Sequence, residues 1–226
     1  MKREESEEPA EKKNCRDQRK IKKKILYIKA AERIMRDEGI RGLNIRKLAS
    51  EVGLNSATLY SYFEDLDELV LFATFKFRKE YLIHLSDQIL PGMSAFEQYV
   101  KLYEIYCEYA FEEPEIFFNM YFGKYSYKLG NIREEYYTMF PEESIRQTPM
   151  VQNWLHAKDV YEGEMTAVRC LAEEGVIKEE NQSMVANMVV RVHASYMHDL
   201  FTYKHRSITI ARHDFMDCLM HILKTN

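Results

Sequence analysis

Proline and glycine are scarce in this chain, with five and eight among 226 residues, which fits helices joined by short loops. No apolar run is long enough to cross a bilayer, and the N-terminus is charged where a signal peptide would be apolar. A soluble, cytoplasmic protein is therefore expected, with no membrane partner. Cysteine is sparse too. Cys15, Cys107, Cys170 and Cys218 are far apart and form no C-x-x-C pair, so free thiols are expected, mostly buried as small apolar residues. G-x-S-x-G, a phosphate loop and zinc-ligand spacing are all missing. Among seven histidines, His193 and His198 are five apart, not one helical turn, and no Glu-x-x-His appears to build a di-iron bundle. The reading is of a non-enzyme, with no catalytic residues, no metal and no cofactor.

What is present is charge of two signs, unevenly placed. Residues 12–47 hold 14 Lys or Arg against 4 acids, whereas residues 67–226 hold 16 basic and 24 acidic side chains, a net of −8. One basic end on an otherwise acidic molecule turns that end toward a polyanion.

The apolar pattern is helical throughout, and no strand pair or internal repeat is evident. Residues 1–18 alternate acidic and basic blocks without an apolar period and read as a disordered charged arm. A first helix is expected over about 19–38, on the stripe Ile25, Ile28, Ala31, Ile34 and Met35, with Gly39 as its C-terminal cap. Another long helix should open at Asp65 or Asp67 and reach about 89. Pro91-Gly92 breaks it, and Ser94 restarts an aromatic-rich helix over 95–112. Further helices are expected around 115–127, 150–174, 182–204 and 209–224, with 128–149 the least regular part.

Residues 44–69 carry the most information. Asn44 can cap a helix whose apolar positions are Ile45, Leu48 and Val52. Ala49 lets a second helix cross closely, Gly53 suits a reversal in left-handed conformation, and Asn55 or Ser56 can cap a second short helix over 56–62. Two short helices about a tight turn make a helix-turn-helix, whose second helix enters the DNA major groove.

This stretch resembles the DNA-binding domain of TetR-type transcriptional regulators. The likeness starts at Ile28-x-x-Ala31-x-x-Ile34-Met35 and Gly39-Ile40. It continues through Ile45-Arg46-x-Leu48-Ala49-x-x-x-Gly53-Leu54 to Thr58-Leu59-Tyr60-x-Tyr62-Phe63 and Leu69. It implies an all-α fold with a three-helix head over 19–66 and a larger helical-bundle body over 67–226 for ligand binding and dimerisation. It implies double-stranded operator DNA and a small-molecule effector as partners, and a homodimer bound to a palindromic site. The function implied is a repressor released by a small lipophilic or aromatic effector.

In the head, Ser56, Ala57, Thr58, Tyr60 and Ser61 would lie near the groove. Tyr60 and Tyr62 would touch phosphates, although Tyr62 is equally well read as core. Asn44 and Arg46 at the start of the preceding helix can reach phosphates. Lys20, Lys22, Lys23 and Lys24 flank the site, and Arg41 and Lys47 could add contacts. One position departs from the family. Many TetR-type heads place a lysine where this chain has Leu66, and Glu64, Asp65, Asp67 and Glu68 surround it. Modest DNA affinity is expected, or alternatively an adaptor that acts through a protein partner with weak or no DNA binding.

In the body, Tyr103, Tyr106, Phe117, Tyr121, Tyr125, Trp154, His156 and Tyr161 are the candidate ligand-binding residues, since aromatic walls suit a planar or lipophilic effector. Tyrosine faces with Glu104 or Glu108 would also suit a cationic lipophile. Val185, Met188, Val189, Val192 and Tyr196, with Phe215, Leu219 and Ile222 on the last helix, are the candidate dimer face. Some of these must instead face their own subunit.

Overall fold

The computed structural model describes the backbone from residue 10 and side chains from residue 17, through residue 226. These residues form ten α-helices and five short 3₁₀ helices with no strand, so the chain is all-α as expected. They divide into two compact units, Met1–Ala73 and Thr74–Asn226.

In the first unit, α1 (Ala10–Glu38) buries Tyr27, Ile28, Ala31, Ile34 and Met35 along one stripe. Gly39 ends it at φ 72°, a left-handed value that glycine takes without penalty. The Asn44 side chain caps α2 (Ile45–Val52), its Oδ1 accepting from the Lys47 amide at 2.9 Å. Gly53 turns the chain at φ 70°, and the Leu54 amide reaches back to the Ala49 carbonyl at 3.0 Å. That is the bond a Schellman cap uses to satisfy a helix-terminal carbonyl. Asn55 caps the 3₁₀ helix Ser56–Ser61 through the Ala57 amide. Leu59 and Phe63 close the core from beneath, with Phe63 edge-on to Phe72 at 5.6 Å.

Two expectations are corrected here. The disordered arm was drawn over 1–18, but α1 already begins at Ala10; residues 1–9 lie outside those described. Lys, Arg, Gln and Glu are good helix formers, so a nucleated helix extends through them without any apolar stripe. The second helix of the motif is also a 3₁₀ helix, not an α-helix. At six residues it is longer than most 3₁₀ runs.

α3 (Leu66–Gln88) runs from the first unit into the second. The second unit continues with α4 (Ala95–Ala110), α5 (Pro114–Phe122), α6 (Leu129–Met139), α7 (Pro149–His156), α8 (Val160–Glu173), α9 (Gln182–Thr202) and α10 (Ile208–Thr225). Ser94 and Glu97 form a reciprocal capping box at the start of α4. α4 lies at the centre, with Tyr99, Leu102, Tyr106 and Ala110 wholly buried, packed against α5, α7, α8 and α10. Cys107 is buried, Cys170 and Cys218 are half-buried, and all three are free thiols.

The single helix expected over 150–174 is broken in two. Asp159 caps α8 by accepting from the Glu162 amide at 2.9 Å. The carbonyls that the break exposes are taken up by one side chain: Arg133 donates to the carbonyls of Leu155 (3.0 Å), His156 (2.6 Å) and Ala157 (2.7 Å). The stretch read as least regular contains α6, which carries that arginine. The Gly130 amide bonds the Lys158 carbonyl at 3.2 Å, and a Cβ at Gly130 would stand 3.2 Å from the Lys158 Cα. A glycine that reads as a breaker instead permits close approach.

α8 crosses α7 through Gly163, where a Cβ would lie 2.9 Å from the Trp154 carbonyl oxygen. Backbone must move to admit it. Gly163→Ala is therefore expected to lose about 1–3 kcal/mol of stability, read as a lower urea midpoint; an unchanged midpoint would contradict this close crossing.

Candidate functional site

Most of the head residues expected to meet DNA are exposed or half-buried. Tyr60 is 56% exposed, Ala57 and Ser61 are exposed, and Ser56, Thr58 and Tyr62 are half-buried. The 3₁₀ helix thus stands proud of the core while Leu59 anchors it. Asn44 and Arg46 are exposed at the start of α2, and Lys20, Lys22 and Lys23 are exposed on α1. Lys47 is paired with Glu38, an exposed ion pair of the kind that contributes little and exchanges readily. Tyr62 leans on Tyr27 with ring centroids 5.9 Å apart, leaving its remaining surface outward.

Lys24 does not belong to this surface. It is 9% exposed, and its ammonium sits 4.0 Å from the centre of the Phe72 ring and 5.0 Å from that of Phe63. Sequence spacing within a lysine run gives no sign of which member the helix turns inward. The acids after the motif serve the backbone. Asp65 accepts from the Glu68 amide at 3.1 Å, and Glu68 accepts from the Glu64 amide at 2.6 Å. Negative charge at the start of α3 is thus explained by capping and by the helix dipole.

Residues 28–72 match the family model described as bacterial regulatory proteins, tetR family, the span that holds α2, its turn and the exposed 3₁₀ helix. The head therefore resembles the DNA-binding domain of that family. An uncharacterized HTH-type transcriptional regulator of Haemophilus influenzae is 29% identical over 91 residues, 40% of this chain and 49% of that protein. The chain thus spans about half the length of the curated relative it matches. Two solved structures share the whole fold. FadR of Thermus thermophilus, described as a TetR-family transcriptional repressor in complex with lauroyl-CoA, superposes with TM-score 0.56 at 12% identity, covering 87% of this chain and 93% of its own. A TetR-family regulator from Syntrophomonas wolfei gives 0.57 at 12%, with coverage of 89% and 95%. At such identity the likeness is one of fold.

In the body, the aromatic cluster is a packed core. Tyr106 meets Phe117, Tyr121 and Trp154 at centroid distances of 5.7, 6.0 and 6.1 Å, and Tyr103 is buried beside it. Tyr125 is buried and stacked on Tyr127. Tyr161 and His156 are exposed, so these two do not join the cluster. The cavity bordering Tyr121 and Trp154 is only about 10 Å³. Glu104 pairs with Lys101 and Glu108 with Arg212, both in exposed ion pairs away from the packed aromatic core.

The dimer face is corrected as well. Val185, Val189, Phe215, Leu219 and Ile222 are at most 5% exposed within their own chain, because α9 and α10 turn their apolar stripes onto α4, α5 and α8 and onto each other. Met184 and Met188 remain exposed at 47% and 40%, with Val192 and Tyr196 half-buried.

Four buried charged residues were missed, Glu143 among them, paired with Lys76. Glu164, wholly buried, accepts from Tyr103 at 2.6 Å, from Trp154 at 3.4 Å and from Tyr99. Burial raises its carboxyl above the ordinary glutamate value, against the pull of these donors. Arg78 and Arg133 are also buried. The signal was available: Glu164 occupies the stripe Val160, Gly163, Ala167, Val168 and Leu171, and Arg78 lies among Phe75, Phe77 and Tyr81. A charge on an apolar stripe is either paired or functional.

His193 is buried among Tyr106, Phe111 and Phe215 with no partner for Nε2, and burial lowers its pKa from 6.5 to about 3. A depressed histidine pKa means that the unfolded chain binds the extra proton, so stability is lost as pH falls through that window. Glu164 acts with opposite sign, its contribution fading as pH rises from the ordinary glutamate value through the raised one. His193→Phe is expected to flatten the acid limb of the urea midpoint between about pH 6.5 and about pH 3, and Glu164→Gln the limb above it; parallel profiles for wild type and variants would refute both assignments.

Proposed function

We propose that this protein is a sequence-specific DNA-binding transcriptional regulator, a homodimeric repressor released from a palindromic operator by a small effector held in the body. The carrying observation is the capped, exposed 3₁₀ helix Ser56–Ser61 with Tyr60 outermost, flanked by Arg46, Lys22 and Lys23. Hydroxyls and backbone amides of that segment suit base edges and phosphates, and the lysines supply the attraction that positions them. A two-fold dimer would set two such segments in successive major grooves. With their stripes turned inward, α9 and α10 offer a partner Met184, Met188 and their neighbours instead of the buried valines. The acyl-CoA of the Thermus neighbour belongs to that protein; here the effector is left at the level of a small organic molecule. α3 passes from one unit into the other, so a ligand-dependent tilt of it would alter the spacing of the two heads. Coupling of about 1–3 kcal/mol would change operator affinity roughly 5- to 150-fold.

A second reading has its own observation. Residues 48–75 contain no Lys or Arg, which leaves phosphate contacts to the basic residues before them, Arg41, Arg46 and the α1 lysines among them. An adaptor working through a protein partner would need no more than that.

Mobility-shift titrations with the DNA upstream of the chain's own gene, at several salt concentrations, separate the two. Arg46→Ala should weaken binding and reduce the slope of log affinity against log salt by about 0.9, one phosphate contact. Tyr60→Ala should weaken binding with the fold intact by circular dichroism. Specific binding that neither variant changes would exclude this surface, and wild-type binding no tighter than to random DNA would favour the adaptor.

A further inference from the structure

Among the buried charged groups of the described body, Arg78 stands without a counterpart. Glu164 is held by Tyr99, Tyr103 and Trp154, Glu143 by Lys76 and Tyr136, and Arg133 by three carbonyls. Arg78 is 3% exposed, and its Nε is enclosed with no hydrogen-bond partner. Its described contact is with a ring, Phe75, 5.3 Å from Cζ. The groups that dominate its electrostatic surroundings are tyrosines, and two of them, Tyr81 and Tyr121, have hydroxyls that also lack partners. A permanently charged group with five donors, held out of water without an anion, is a costly arrangement.

Two small cavities flank this guanidinium, each of about 10 Å³. Leu155 borders both. The first adds Tyr121, Leu129, Trp154 and Asp159, the last already occupied in capping α8. The second adds Leu82, Tyr137, His156 and Arg133, which already donates three bonds to carbonyls at the α7–α8 break. Each holds about one water, which would meet some donors but leave the charge. A carboxylate meets both needs, because it accepts two parallel bonds from one guanidinium and cancels one charge. The leucines and the indole around it suit an apolar remainder, which enters by displacing Leu155 and its neighbours, since each space by itself holds only about one water.

From this we infer that Arg78 anchors the carboxylate of a small, otherwise apolar organic acid inside the body. The inference deepens the effector reading above and rests on it for a regulatory meaning, but the site is tested without DNA. The full chain is titrated by calorimetry and thermal melting with benzoate, phenylbutyrate and octanoate, their neutral amides, and inorganic phosphate. Carboxylates are expected to bind and stabilise where amides do not. Arg78→Met should weaken them about thirtyfold or more, and Arg78→Lys should keep part of the affinity. The ligand-free Arg78→Met protein should melt no lower than wild type, since it loses an unpaired buried charge; an arginine that merely supports the fold would lower it. Amides binding as well as acids, phosphate binding in place of carboxylates, no anion binding at millimolar concentration, or carboxylate affinity unchanged in Arg78→Met would each overturn the inference. Anion binding that leaves operator affinity unaltered would keep the site and remove only the switch.

Discussion

A carboxylate at the centre of the body has to be surrounded by donors, and the arrangement of several helices follows from that requirement. Glu164 comes from α8, Tyr99 and Tyr103 from α4, and Trp154 from α7. Removing one donor would leave a buried acceptor unsatisfied, which costs more than the bond itself contributes. The carboxylate therefore fixes where α4 and α7 meet α8, in a way that apolar packing, indifferent to direction, could not. Arg133 does the same for the neighbouring break, where its fork gathers carbonyls that no helix can satisfy.

The head is organised by backbone caps. Asn44, Gly53 and Asn55 each settle one end of a short element. So short a helix lacks the cooperative length to hold itself, and it persists because its amides and carbonyls have partners and Leu59 reaches the core. The outward side is consequently free of structural duty. Ala57, Tyr60 and Ser61 are exposed because the fold does not need them inside, which is the condition under which side chains can be chosen for a partner.

The body interior contrasts with the head in how its polar groups are met. Around Glu164 and Arg133 every demand is answered from within the chain. Around Arg78, Tyr81 and Tyr121 it is not. Both regions lie in one unit and are comparably buried, so the difference reflects what those side chains face, not how deeply they are buried.

Sequence by itself determined the helical class, the place of the head, its caps and the anchoring stripe of α1, because these depend on neighbours within a few residues. It also set the basic character of the N-terminal end, since charge is additive along a chain. Tertiary structure alone decided that Lys24 folds onto Phe72, that the helix expected over 150–174 breaks, that the α9 and α10 stripes turn inward, and that an aromatic cluster fills its own space. Each of those outcomes depends on groups brought from distant segments. Arg133 reaches the carbonyls of Leu155, His156 and Ala157 across more than twenty positions, and no local pattern records a partner that only the folded chain supplies.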